Sequence, residues 1–96
     1  MNSRDAEAAL LARCVAVARD GAQAPRDQQE ANVFDLAAMV LGSRFPSESV
    51  GLMRASERYF DAHPDEKLAA SEVIRRGWVS NLPRLRDMLS HQFREG

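Results

Sequence analysis

Threonine is absent from this 96-residue chain, which removes one of the residue types that favour strands. No sustained alternation of apolar and polar residues appears either, so no sheet is expected. Cysteine occurs once, at Cys14. A lone cysteine cannot form an intrachain disulfide, and that fits a reducing compartment. No apolar run reaches the roughly 18–20 residues needed to span a bilayer. Met1 is followed by a charged stretch (NSRDAEAA), not by the basic, apolar and small-residue segments of a secretory signal. The expectation is a soluble cytoplasmic protein without a membrane role. Lysine is nearly absent, with one copy against twelve arginines. That bias, with abundant alanine, is common where coding DNA is GC-rich and leans towards a bacterial or phage origin. The formal net charge is only −1, so the molecule as a whole is not an obvious polyanion binder.

What is present is helical. The apolar share of 45% is ordinary for a globular chain and argues against disorder. Alanine, leucine, arginine and glutamate dominate. A chain of this length is one domain, 1–96, burying roughly 60–65% of its unfolded surface. Its densest apolar stretch is Asn32 to Leu41 (NVFDLAAMVL), interrupted only by Asn32 and Asp35. At helical spacing Phe34, Ala38 and Leu41 share one face and Val33, Ala37 and Val40 the next. Such a helix has to be covered on several sides, so it is the expected centre of the fold.

The other helices follow from caps and breaks. Ser3 is a candidate N-cap for a first helix with stripes Leu10, Cys14, Val17 and Leu11, Val15, Ala18. Asp20-Gly21 should stop it, with glycine in the left-handed position. Ala9, Ala12 and Ala16 form a small-residue flank that lets another helix approach, from this chain or from a second copy in a homodimer. Asp27 with Glu30 resembles a capping box at the start of the central helix, and Gly42 ends that helix, with Phe45 folding back onto it. Ser47 can cap a third helix to about Ala62. There Val50, Met53 and Phe60, with Tyr59 beside them, are the expected inward side, and Gly51 suggests a close crossing. Arg54, Glu57, Arg58 and Asp61 read as a solvated face. His63-Pro64 breaks the chain. A fourth helix is expected from Pro64, with Leu68, Ala69, Val73 and Ile74 inward and Gly77 as its stop. A fifth runs from Leu82 to about Phe93, with Leu82, Leu85, Leu89 and Phe93 on one face and Met88 beside them. The spacing therefore predicts an all-α, compact bundle of four to five short helices.

Catalytic signatures are missing. There is no GxSxG, no HExxH and no phosphate-cradling glycine loop. Cys14 falls on an apolar face, where a thiol packs and does not react. His63 lies among Asp61, Asp65 and Glu66, but at a helix junction where capping explains the acids. His91 suits a helix C-terminus. No enzyme, cofactor or metal is expected.

Charge is more informative. Residues 1–74 carry eight basic and twelve acidic side chains, a net of −4, and residues 75–96 carry five arginines against Asp87 and Glu95, a net of +3. Arg75, Arg76, Trp78, Arg84 and Arg86 are the candidate partner-binding residues, because arginine and tryptophan are enriched where interfaces hold most of their energy. With Leu85 inward, Arg84 and Arg86 should both be exposed. The bland alternative has Trp78 in the core and the arginines paired with acids of residues 57–72. The same segment, SEVIRRGWVSNLPRLRDML, looks faintly like a helix-turn-helix with Gly77 as its turn glycine. However, Val73 and Arg76 occupy positions usually small and apolar, and Pro83 falls in the would-be recognition helix. The expected function is a small non-catalytic protein-binding module: an adaptor, chaperone-like or inhibitory protein acting on a protein complex. The alternative is a small DNA-associated transcriptional regulator using the arginine-rich C-terminal segment. A third is an enzyme subunit completing a site with a partner.

Overall fold

The densest apolar stretch becomes α2 (Gln28–Leu41), and it is the helix that touches every other one: α1 (Ser3–Arg19), α3 (Pro46–Ala62), α4 (Ala70–Arg75) and α5 (Leu82–Arg94). The computed structural model describes residues 3–21 and 23–94, among which there is no strand. Glu95, counted in the C-terminal charge, lies outside the described residues, and the expected cap at Ser3 lies outside the described side chains. Val33, Phe34, Leu36, Ala37 and Leu41 are buried on α2. Their neighbours in one shared core are Leu10, Cys14 and Val17 of α1, Leu52 and Ala55 of α3, Val73 of α4, Val79, and Leu85 and Leu89 of α5.

Half of the expected capping box forms. The Asp27 side chain accepts the Glu30 N–H at 2.9 Å. The Glu30 carboxylate does not return to the cap; it takes the Arg26 N–H at 3.0 Å and the Arg13 guanidinium at 3.1 Å. At the other end Gly42 has φ +50 and donates its N–H to the Ala38 carbonyl. A 3-10 turn, Gly42–Arg44, then brings Phe45 back so that its ring lies 5.8 Å from that of Phe93. Gly21 does not take the left-handed conformation; among the described residues only Gly42 and Gly77 have positive φ. The end of α1 is instead held by the Asp20 N–H on the Ala16 carbonyl.

The third helix differs from expectation in the face it buries. Leu52, Ala55 and Ser56 point inward, with Tyr59 half-buried below them, whereas Val50 and Met53 are exposed and Phe60 is half-exposed. The cause is tight packing on two sides. A Cβ on Gly51 would sit 3.5 Å from the Ala18 carbonyl oxygen, so α3 crosses α1 closely there. Ser49 donates its hydroxyl to the Ala38 carbonyl at 2.7 Å, so α3 also lies against α2. Only small residues fit where α3 is approached this closely, Gly51 against α1 and Ser49 against α2; Leu52 fills the core between those two contacts, and Val50 and Met53 are turned out. The alanine flank of α1 is not where that crossing occurs: Ala9 and Ala12 are exposed and Ala16 is half-buried.

No fourth helix starts at Pro64. Pro64–Glu66 forms one 3-10 turn, Lys67 and Ala69 are extended, and α4 covers only Ala70–Arg75. Ala69, expected inward, is exposed. The reason lies on α2. Asn32 is 2% exposed. Its amide nitrogen donates to the carbonyls of Gln28 at 2.9 Å and Glu66 at 3.0 Å, and its oxygen accepts the Leu68 N–H at 2.8 Å. Gln28 adds a second bond to the Glu66 carbonyl at 3.1 Å. These bonds take the backbone groups a helix through 66–68 would need for itself. Gly77, with φ +79, follows the end of α4, and Asn81 caps α5 by accepting the Arg84 N–H at 2.7 Å.

Candidate functional site

The five expected partner-binding residues all lie at the corner made by α4, the 76–81 connection and α5. Arg75 and Arg76 converge on one carboxylate, Glu72, with their Nε atoms at 2.8 and 3.0 Å. The bonds from Arg75 and then Arg76 hold the Glu72 carboxyl at about 2, against an ordinary 4.5. Arg76 also lies over the half-buried Trp78 ring, 5.2 Å from its centroid, a cation–π distance. Arg86 reaches only its neighbour Asp87, at 3.6 Å.

Arg84 is held differently. Its Nε donates to Glu7 of α1 at 3.0 Å, and the other Glu7 oxygen takes the Ser80 N–H at 2.6 Å. The Glu7 side chain is 9% exposed and that of Arg84 48%. Burial opposes the Glu7 charge, but the Ser80 bonds and Arg84 together outweigh it and hold the carboxyl below its usual range. Glu7 thus ties the first helix to the start of the last. Arg84 is exposed along its length, as expected, and structural at its tip.

The other candidate groups are engaged with the fold. Cys14 is fully buried, and burial, then the Glu30 charge, push its thiol up to about 12. A thiol held so far from ionisation is not a nucleophile near neutral pH. His63 stacks on Tyr59 with centroids 4.4 Å apart, and its Nδ1 lies 3.1 Å from the Tyr59 carbonyl. The Tyr59 hydroxyl in turn donates to Glu66 at 2.7 Å, and that bond is the main reason its pKa rises to about 12. Among the described residues, no three His, Cys, Asp or Glu side chains gather as a metal site, and no helix is long and apolar enough to cross a membrane. In the segment compared with a helix-turn-helix, α4 has six residues and Pro83 sits in the first turn of α5.

A second surface lies on the outward flank of α3. Met39 is 57% exposed, Met53 41% and Val50 37%. Met39 lies on α2, and Val50 and Met53 lie on α3, the two helices that the Ser49 hydroxyl joins at the Ala38 carbonyl. Between these helices, Asp35, Met53, Ser56, Glu57, Phe60 and Asp61 line an open groove of about 420 Å3, with Pro64 and Lys67 at one end. Met53, Phe60 and Pro64 are its apolar lining, beside three carboxylates and Lys67. Among the described residues, Asp35, Glu57 and Asp61 make no ion pair or side-chain hydrogen bond.

Sequence reasoning missed this groove because it placed Val50, Met53 and Phe60 inside. A usable signal was present. Leu52, Ala55, Ser56 and Tyr59 recur at i, i+3, i+4 and i+7, a complete inward stripe with two small residues at its middle. Comparison of the chain with protein-family models, with curated proteins and with solved structures finds no match.

Proposed function

We propose that this chain is a small, non-catalytic protein-binding module of the cytoplasm: an adaptor, chaperone-like or inhibitory protein acting on a protein complex. One observation carries this reading. Met39 on α2 and Val50 and Met53 on α3 are exposed, and Met53 with Phe60 lines an open groove between these two helices. Scattered surface apolar residues are ordinary, but a contiguous apolar patch rimmed by polar groups marks an interaction site. Methionine suits such a surface, because its unbranched side chain adapts to a partner. The sealed thiol of Cys14 accords with a protein that acts by presenting a surface. The corner formed by Arg75, Arg76, Trp78, Arg84 and Arg86 is a second face for a partner, though much of its charge is already paired.

The test is affinity capture from the source organism, followed by reconstitution of the complex from two purified proteins. A defined complex at fixed stoichiometry is the expected result. If no protein complex reconstitutes and the chain instead retards duplex DNA, with affinity falling linearly in log salt, the DNA-associated alternative replaces this reading. Light scattering across concentrations on the same sample tests a homodimer through Ala9, Ala12 and Ala16.

A further inference from the structure

We propose that the α2–α3 groove receives a basic amphipathic helix of a partner protein; this rests on the protein-binding reading and names its surface and partner chemistry. The shape of the groove comes first. Two antiparallel helices form its walls, joined by the short turn after Gly42 and locked by the Ser49 hydroxyl on the Ala38 carbonyl. Along α3, Val50, Met53 and Phe60 lie on its outward flank. Of these, Met53 and Phe60 line the groove; seven residues of helix span about 10 Å, so the apolar strip is about two turns long. An amphipathic helix presents its anchors at i, i+3 or i+4, and i+7 over the same distance.

Charge then selects the partner. The carboxylates with structural roles are partnered: Glu7 by Arg84 and Ser80, Glu30 by Arg13, Glu66 by Tyr59 and Glu72 by Arg75 and Arg76. Asp35, Glu57 and Asp61, which line this one groove, have no such partner among the described residues. Against them stands Lys67, whose ammonium lies 6.0 Å from the Phe60 ring centroid at the groove's end; Arg54 is exposed on α3, one turn beyond Val50. Met53 and Phe60 beside three unpaired carboxylates complement a helix with leucine-like anchors flanked by lysine or arginine. Such a helix also gains association rate from the opposite charge of the rim.

The probe is a fluorescein-labelled Leu/Lys peptide of about four helical turns, with a twin in which every Lys is Glu. Binding to the whole chain is followed by anisotropy, and the site is located by backbone amide NMR shifts. The expected result is that the Leu/Lys peptide binds and shifts amides of 35–39 and 50–61. Glu57→Lys with Asp61→Lys should keep the helical circular dichroism and weaken this peptide at least about tenfold at low salt. Met53→Ala, also on the exposed flank, should weaken the Leu/Lys peptide by removing an apolar contact. The groove assignment is overturned if the shifts lie elsewhere, or if the double charge reversal leaves affinity unchanged. It is also overturned if the Leu/Glu twin binds instead at the α4–α5 corner, an outcome that leaves the protein-binding reading standing. If the wild type self-associates and the Leu/Lys peptide does not compete, the occupant is a second copy and the proposed partner is wrong. If neither peptide binds and no complex reconstitutes from the host, both readings fall together.

Discussion

At the α4–α5 corner, Arg75 and Arg76 both end on Glu72 and Arg84 ends on Glu7, while in the α2–α3 groove Asp35, Glu57 and Asp61 meet no partner among the described residues. The corner looks the more charged of the two along the sequence, with a local net of +3. In space it is the more neutralised. A carboxylate already paired has little left to offer an incoming cation, and the same holds for a paired arginine. The groove, unremarkable in sequence, brings together three carboxylates that are still available. Counting charge by segment therefore measures composition, and only the pairing measures what a partner would meet.

The largest expected effect removes what the two regions share. Phe34 is fully buried on α2, against which both are built. Phe34→Ala should cost about 3–5 kcal/mol, much of the roughly 5–15 kcal/mol available to a small domain. Chemical denaturation measures it. A loss below about 1 kcal/mol would remove α2 from the centre of the fold.

The next change separates the two arginines at the start of α5. Arg84→Glu places a carboxylate against the buried Glu7 and should cost about 2 kcal/mol. That is less than the 3–5 kcal/mol for breaking a fully buried pair, because Arg84 is half in water. Arg86→Glu faces only Asp87 and should stay within about 0.5 kcal/mol. Equal melting of the two variants would mean that the tie to Glu7 contributes nothing.

Acid sharpens the same contrast. The folded-state pKa of Glu7 is depressed, so its contribution to stability is present above the usual glutamate value of 4.5 and is lost as pH falls below it. Glu7→Gln should flatten the loss of stability between neutral pH and the acid range, and it should be less stable than the wild type at neutral pH. Thermal melts of both proteins over that range decide it. A parallel pair of curves would show that the Glu7 carboxylate is no better held in the fold than in the unfolded chain.

The smallest effect is expected in the groove. Glu57→Lys should move stability by no more than about 0.5 kcal/mol, because the carboxylate it replaces is exposed and unpaired. A loss near that of Arg84→Glu would erase the distinction between a paired and an unpaired region.

Much of the architecture was legible in the sequence, and the reason is local. α2 announces itself by apolar density, α5 by the Leu82–Leu85–Leu89–Phe93 stripe, and the ends of α2 and α4 by Gly42 and Gly77, whereas the left-handed position expected at Gly21 did not form. What was not legible depends on partners far along the chain. Glu7 and Arg84 stand 77 positions apart. Asn32 reaches Leu68 across 36, and no reading of the 64–69 stretch alone reveals that its backbone is already engaged. The face of α3 was misread for a related reason. Side-chain size suggests which residues prefer burial, but the closeness of α1 and α2 leaves room only for Leu52, Ala55 and Ser56.

Asn32 has a consequence for how this molecule breathes. Its carboxamide acts as a one-residue strand edge, offering an acceptor to the Leu68 N–H and a donor to the Glu66 carbonyl. Amides outside helices and sheets ordinarily exchange with solvent deuterium quickly. The Leu68 amide lies in an extended stretch, yet its hydrogen ends on a side chain enclosed in the core. Its proton can leave only when the 66–68 segment lifts from α2. Leu68 should therefore exchange at a rate close to that of the α2 amides and far below that of Lys67 beside it. The opening that exposes it also frees both ends of the Asn32 amide at once, so that one slow proton reports on the attachment of the whole α3–α4 connection.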